Sequence, residues 1–402
     1  MKRCPKLIPL LLIALASVLS SACSRASEGP PVSDSEDVIV LSAGEPVRIA
    51  VAVAQSPAGI AAEGLAQLRG AELAAGDHGP ITGLVRRYPV EIVSLDTACS
   101  PERGESVARE ITGDPTIAGV IGHTCTDSCL AAVPIYEAAD YTLISPSCGG
   151  PELTDRVMHS EAFLRTIYSD HAEGATAAEF AFYELGARRA ALLHDSGLES
   201  QSMASAFEAT FTALGGMVVA TETTTSESDL RESLDALSTS GLDLLYAPLP
   251  PTQAVELASR RGSLPAGTPV LGGRHYLSTW FIEQAGADAE GLYAVGPLVT
   301  GPAYEELVNT YLRRYGEPPA SPLLAHAYDA TGLLIQAIQE SSTAGRRWLA
   351  IDRRALREAI YNTTTYQGVT GAITCTDIGD CSSKTIAISQ VQGGAWQAVF
   401  VP

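Results

Sequence analysis

From Val47 onward the chain alternates, with short connections, between apolar runs of strand length and amphipathic runs of helix length. That pattern leaves few folds open. Strands separated by helices run parallel, and a parallel sheet needs helices on both of its faces. Strands are expected at Val47 to Val53, Val90 to Leu95, Ile117 to Ile121, Tyr141 to Ile144, Ala190 to Leu193, Met217 to Thr221, Leu242 to Tyr246, Pro269 to Leu271 and Leu292 to Val295. Helical patterns fill the gaps at Ala61 to Ala75, Pro101 to Ile111, Ser128 to Ala139, His171 to Leu185, Glu199 to Leu214, Ser228 to Leu237, Thr252 to Arg260 and Ser278 to Ala285. So many strands exceed what one compact sheet usually holds, which points to an α/β molecule of two lobes.

The clearest helix runs from Pro302 to Tyr315, where Tyr304, Leu307, Val308, Tyr311, Leu312 and Tyr315 make one apolar stripe, with Pro302 in the first turn and Gly316 at the end. Those tyrosines read as packing residues. Leu323 to Glu340 and Asp352 to Tyr361 are two further helices. The tail changes character: Gly368 to Thr374 and Thr385 to Val391 are strand-like, joined by a turn segment containing Asp377, Gly379 and Asp380.

The N-terminus carries Lys2, Arg3 and Lys6, then an apolar run from Leu7 to Leu19, then Ser20, Ser21, Ala22 and Cys23. The run is too short to span a bilayer, so residues 1 to 22 read as a secretory signal. Its end resembles a bacterial lipoprotein signal, with Cys23 as the lipidated first residue of the mature chain; Ser20 departs from that pattern, the aliphatic residue standing one place early at Leu19. Residues 23 to 45 are rich in Ser, Pro, Gly and acidic side chains, and are expected to form a flexible tether between a lipid anchor and the folded body. Loss of the signal discards Lys2, Arg3 and Lys6 and no acidic residue, which takes the formal charge from -20 to -23. So acidic a chain is unsuited to nucleic acid, whose binding rests on neutralising phosphates.

Cys99, Cys125, Cys129, Cys148, Cys375 and Cys381 remain in the exported body. An even number in an oxidising compartment implies disulfides, though spacing leaves the connectivity open. A bridge between Cys375 and Cys381 closing the intervening turn is the economical reading. The rival is a metal site, since Cys125 and Cys129 are one helical turn apart with His123 and Cys148 nearby; no metal and no cofactor are expected.

The candidate site lies between Ile117 and Thr154. There an apolar run ends at Gly122 and gives way to His123, Thr124, Cys125, Thr126, Asp127 and Ser128 before a helix begins. A second run, Tyr141 to Ile144, is followed by Ser145, Pro146, Ser147, Cys148, Gly149 and Gly150. Adjacent strands would thus deliver two hydroxyl-rich loops to one sheet edge, where α/β sheets bind ligands and a helix N-terminus offers N–H groups to an anion. For enzymes the sequence holds no G-x-S-x-G elbow, P-loop or H-E-x-x-H motif. His194 and Asp195 at a strand end are the one pair with catalytic flavour.

Ordered along the chain, Gly70 to Ala74, Asp96 to Pro101, Val120 to His123 with Cys125, Ile144 to Pro146 with Pro151 to Thr154, His194-Asp195, Ala325 to Asp329 and Gly368 to Gly371 resemble the type I periplasmic binding proteins of the leucine/isoleucine/valine-binding class, which serve ABC importers. The resemblance implies a two-lobed fold with three crossovers, lobe one at residues 46 to 166 and 297 to 366, lobe two at 167 to 296 and 367 to 402. It implies bridges Cys99 to Cys125, Cys129 to Cys148 and Cys375 to Cys381. It also implies a ligand in the cleft, with closure about a hinge as the working motion.

The family's amino-acid pocket corresponds to Thr126 and Ser147 for the α-carboxylate, with Cys148, next to Ser147, as a further candidate ligand contact. Elsewhere this chain departs from it. A family Thr falls on Gly149, the acidic residue that receives the ammonium falls on Arg274, and two aromatics fall near Glu199 and Leu249. An arginine in place of a carboxylate repels an ammonium, so the expected ligand is an organic acid whose second anionic group pairs with Arg274. Glu63, near the pocket in the family, could pair with Arg274 or take an ammonium. The expected function is that of an exported, lipid-anchored, monomeric binding protein delivering a small polar, carboxylate-bearing solute to an ABC permease, and not an enzyme. A ligand-sensing module of the same fold and an exported hydrolase are the alternatives.

Overall fold

The computed structural model of the chain describes residues 37 to 82, 87 to 381 and 385 to 402. The expected signal and Cys23 lie outside the described residues. Five parallel strands make the first sheet, in the spatial order Val90–Asp96, Val47–Val53, Ile117–Gly122, Leu143–Ser145 and Phe163–Arg165. The second sheet runs Met217–Thr223, Arg189–His194, Leu244–Ala247, Val270–Gly272 and Tyr293–Pro297, all parallel, then adds Ile386–Gln392 and Ala395–Phe400 antiparallel at its far edge. In each lobe the first strand in sequence sits between the second and the third. The connections on its two sides therefore leave in opposite directions, and the loops at its carboxyl end part to open a crevice.

Three passages join the sheets: after Arg165 into the helix Asp170–Tyr183, after Pro297 into Pro302–Tyr315, and after Cys381 into Ile386–Gln392. The third falls later than expected. Tyr366–Gly368 and Gly371–Ile373 form their own hairpin, whose turn is held by the Asp329 carboxylate accepting from the backbone N–H groups of Val369 and Thr370 at 2.8 and 2.9 Å. Tyr366, Ile373, Cys375 and Cys381 are buried in the core of the first lobe beside Leu333 and Ile360. The strand-like segments flanking the turn therefore do not pair with each other, and residues 367 to 381 belong with lobe one rather than lobe two. The bridges are Cys99–Cys125, Cys129–Cys148 and Cys375–Cys381, the pairing that the resemblance implied.

The end of the expected tether is also corrected. Val38–Ser42 is a strand, antiparallel to Trp348–Asp352, and it buries Ile39 and Leu41 in the core of the first lobe. Its apolar run is four residues long and sits beside Ser, Gly and acidic neighbours, so the composition of the surrounding segment hid it. The helix Pro302–Tyr315 has the expected bounds, and its tyrosines do pack: the Arg69 guanidinium lies over the rings of Tyr311 and Tyr315 at 5.5 and 4.5 Å. The Val38–Ser42 strand separates the two readings of this segment cleanly. Leu41 is 5% exposed and Val40 40%, so Leu41→Ala should cost about 2–4 kcal/mol in urea denaturation and Val40→Ala about 0.5 kcal/mol or less. Equal, negligible losses would mean that the segment is a tether after all.

Candidate ligand-binding site

The two crevices face each other across a cavity of about 540 Å³. Its walls come from loops at the carboxyl ends of strands in both sheets. Pro57, Cys99 and Thr126 stand on the first lobe; Asp195, Pro250 and His275 stand on the second. Four helices begin at this cavity: Ile60–His78, Thr126–Ala138, Leu198–Ala213 and Pro251–Arg260. None has a side-chain cap. Several helices that begin elsewhere do have one, such as Pro101–Thr112, Asp170–Tyr183 and Glu227–Leu237, capped by Ser100, Ser169 and Ser226, while Pro302–Tyr315 and Leu323–Ser341 do not. The first turns at the cavity thus keep N–H groups for another acceptor, which suits an anionic group on a ligand. Thr126 adds a hydroxyl, buried and without a hydrogen-bond partner.

Behind the second-lobe wall is a charge cluster. The Arg274 side chain, 1% exposed, donates to Asp170 at 2.7 Å and to Glu173 from Nη1, while its backbone N–H donates to Glu173 at 3.0 Å. Glu199 lies 3.0 Å from the same guanidinium. His275 then carries the network across the cleft, with Nε2 2.9 Å from Glu199 and Nδ1 2.9 Å from Glu63 on the first lobe. A second interlobe contact joins the Leu198 N–H to the Asp127 carboxylate at 3.4 Å. The lobes therefore meet around the cavity, in a closed arrangement.

One guanidinium shared by buried carboxylates leaves them unequal. Burial pushes Asp170 up to about 6 and Glu173 up to about 7 against the pull of Arg274. For Glu199, burial acts in the same direction, but Arg274 and His275 outweigh it and bring it down to about 2. Burial disfavours the His275 imidazolium, yet Glu63 and Glu199 together hold its pKa well above the ordinary value. His275 is a cation in this setting.

Of the residues singled out from the sequence, Thr126 and Glu199 line the cavity, and Glu63 reaches it through His275. The others stand behind its walls. Ser147 donates to the Thr124 carbonyl at 2.6 Å, and Cys148 is buried in its disulfide. Gly149 is needed because a Cβ there would run into the Asp170 carboxylate. Leu249 is wholly buried in the apolar core of the second lobe, between prolines that do face the cavity. Arg274 does not offer the free guanidinium expected of it, because carboxylates of its own lobe already surround it. Asp127, Asp195 and His275 were missed as wall residues. Asp170 and Glu173 sit in the first turn of their helix, where acidic residues are common, so nothing in the sequence marked them as partners of a buried cation.

A family model described as "Periplasmic binding protein" matches residues 46–395. The chain belongs to the periplasmic binding protein family. Its similarity lies with the leucine/isoleucine/valine-binding, type I members: it is 28% identical over 254 residues to the Leu/Ile/Val-binding protein of Escherichia coli strain K12, covering 63% of this chain and 68% of that one. It is also 28% identical over 179 residues to an amino acid binding protein of Pseudomonas aeruginosa, covering 44% of this chain; the match spans about half of that relative, 47%. Among solved structures, a leucine binding protein from Thermotoga maritima has a TM-score of 0.78 at 24% identity, over 88% of this chain and 98% of that one. A branched-chain amino acid transporter substrate binding protein from Streptococcus pneumoniae, in complex with isoleucine, has 0.79 at 21%, over 89% and 99%. A solute binding protein from R. palustris, in complex with benzoate, has 0.77 at 19%, over 89% and 96%. At these identities the structures speak for a shared two-lobed fold.

Two outcomes follow from the charge cluster in this binding-protein fold. Arg274→Met strands buried carboxylates without a counter-charge, and should destabilise the protein by about 3–5 kcal/mol in urea. A loss below about 1 kcal/mol would mean that the cluster is already neutral. The second outcome concerns pH. Because the folded-state pKa of Glu173 is raised, the native chain holds a proton that the unfolded chain has released, and the stability this contributes is lost as pH climbs from about 4.5 to about 7. Buried His123 and His326, depressed to about 3 and about 4, act with the opposite sign below about 6.5. Wild type is therefore compared with Glu173→Gln, and should lose stability relative to that variant on going from pH 4.5 to 7.5. A constant difference across that range would show that Glu173 does not titrate there.

Proposed function

We propose that this chain is the extracytoplasmic solute-binding component of an ABC importer. On this reading it is exported on residues 1–22, anchored through a lipid on Cys23, works as a monomer, and hands a small polar, carboxylate-bearing solute to a membrane permease. The observation that carries the reading is the interlobe cavity, where Thr126 has a buried, unpartnered hydroxyl at the uncapped start of a helix. That combination suits a carboxylate as it would suit no neutral apolar ligand. Support comes from the relatives: one is named for Leu/Ile/Val binding, one solved neighbour holds isoleucine and another benzoate, and all of these ligands carry a carboxylate. Among the described residues no helix is long and apolar enough to cross a membrane.

The geometry alters two expectations about the ligand and the chemistry. Arg274 is enclosed, so it is not the partner of a second ligand anion. The case against an ammonium on the ligand falls with it, since the side chain that Arg274 presents to the cavity is Glu199. The hydrolase alternative also weakens. His194 Nδ1 faces the Asp195 carbonyl at 2.8 Å rather than a carboxylate, so the pair is not arranged as a base and its orienting acid.

Thermal-shift screening of the mature chain against carboxylate-bearing metabolites should yield stabilising ligands, about 2.7 kcal/mol at 100 times the dissociation constant. Thr126→Val should then weaken the best of them by about 1.5–3 kcal/mol. Stabilisation confined to solutes without a carboxylate, or an unchanged affinity in Thr126→Val, would remove the proposed grip. Uptake of the same solute by cells with and without the gene separates transport from sensing.

A further inference from the structure

Resting on the reading of the cavity as a solute site, we infer that the solute is a net cation: one carboxylate together with two positively charged groups, in the manner of a diamino acid or a guanidino amino acid. The cavity wall carries more acid than base. Asp127, Asp195 and Glu199 line the cavity, and His275 is the one cationic side chain among the residues that do. His275 is committed already, clamped between Glu63 and Glu199. Arg274 stands behind the wall, held by Asp170 and Glu173, and its one partner on the cavity surface is Glu199 at 3.0 Å.

An acidic wall alone would not make a site. Here the acids share a cavity with the buried, unpartnered hydroxyl of Thr126, which gives the solute one fixed end. With the solute's carboxylate at the Thr126–Ala138 N-terminus, the acids of the second lobe, Asp195 and Glu199, face its far end. A neutral amino acid offers them a single ammonium. Glu199 is answered by Arg274 and His275, which leaves Asp127 and Asp195 without an ion-pair partner among the described residues, an excess of two negative charges that is costly to leave uncompensated on part-buried carboxylates. Two positive groups on the solute answer that excess. The field of the whole chain points the same way. Lys384 is the only lysine beyond residue 6, and the formal charge is -20 before the signal is lost, so the protein draws cations toward its cleft and repels anions.

Titration calorimetry on the mature chain from Ser24 tests this with L-arginine, L-lysine, L-leucine, L-glutamate, benzoate and putrescine at low and moderate salt. The basic amino acids should bind at least tenfold tighter than leucine, benzoate and glutamate should bind weakest, and putrescine, which lacks a carboxylate, should trail the basic amino acids. Affinity for arginine should fall with salt, and Asp195→Asn should reduce its advantage over leucine by tenfold or more. Tightest binding by leucine, glutamate or benzoate would overturn the inference while keeping the solute-binding reading. An arginine-to-leucine ratio unmoved in Asp195→Asn would overturn it too. Binding of none of the six would sink the inference and leave the wider reading without ligand support.

Discussion

The site depends on one buried guanidinium. Removing Arg274 and its carboxylates from water carries a desolvation penalty that only good geometry offsets, and the second lobe is arranged around meeting that demand. Asp170 and Glu173 come from one helix, Glu199 from the next, and Arg274 from the loop after Val270–Gly272. Satisfying the cation therefore fixes three elements against one another, and it decides which side chains are left to face the cleft. Arg274 turns away from the cavity and Glu199 and His275 turn toward it. Through Glu63 the same network reaches the first lobe, so the internal order of one lobe and the contact between the two share a set of charges.

The opposite wall is held by different means. Cys129–Cys148 ties the two hydroxyl-rich loops of the first lobe together, and Cys99–Cys125 fastens the loop after Val90–Asp96 to the start of the helix Thr126–Ala138. Pre-ordered loops lose less entropy when a ligand arrives. Arg165 stands where the chain leaves this lobe. It is buried, donates to the carbonyls of Gly149 and Gly150 at 3.2 Å, and lies 3.5 Å from Asp380 beside the third passage. The site loop and two of the three connections between the lobes are thus bound to one side chain. The path of the chain between the lobes and the position of that loop are thereby tied together.

Periodicity showed most of the fold and little of the site. Where a segment was long and regular, as in Val47–Val53 or Pro302–Tyr315, its bounds in the structure match the pattern in the residues. Short elements escaped. Phe163–Arg165 has too few residues to show a period, and Val38–Ser42 sits in a segment whose average composition argues against packing. Within the site, motif order picked out Thr126, which does line the cavity, and Ser147, Gly149 and Arg274, which do not. An alignment carries position along a strand or loop. It does not carry the direction in which a side chain turns once its neighbours have changed.

What the residues determined by themselves was additive along the chain: parallel sheets covered by helices, the need for two lobes, an acidic body, and disulfides in place of free thiols. These follow from hydrophobic period, chain length and charge, which are additive along the sequence. Tertiary structure decided which charges meet. Glu63 and His275 are 212 residues apart, and Asp170 and Arg274 are 104 apart. Only folding places them within 3 Å, where burial makes their pairing worth more than their identities. A residue that reads as an anion receptor in the sequence becomes, once three carboxylates surround it, the foundation of an acidic wall.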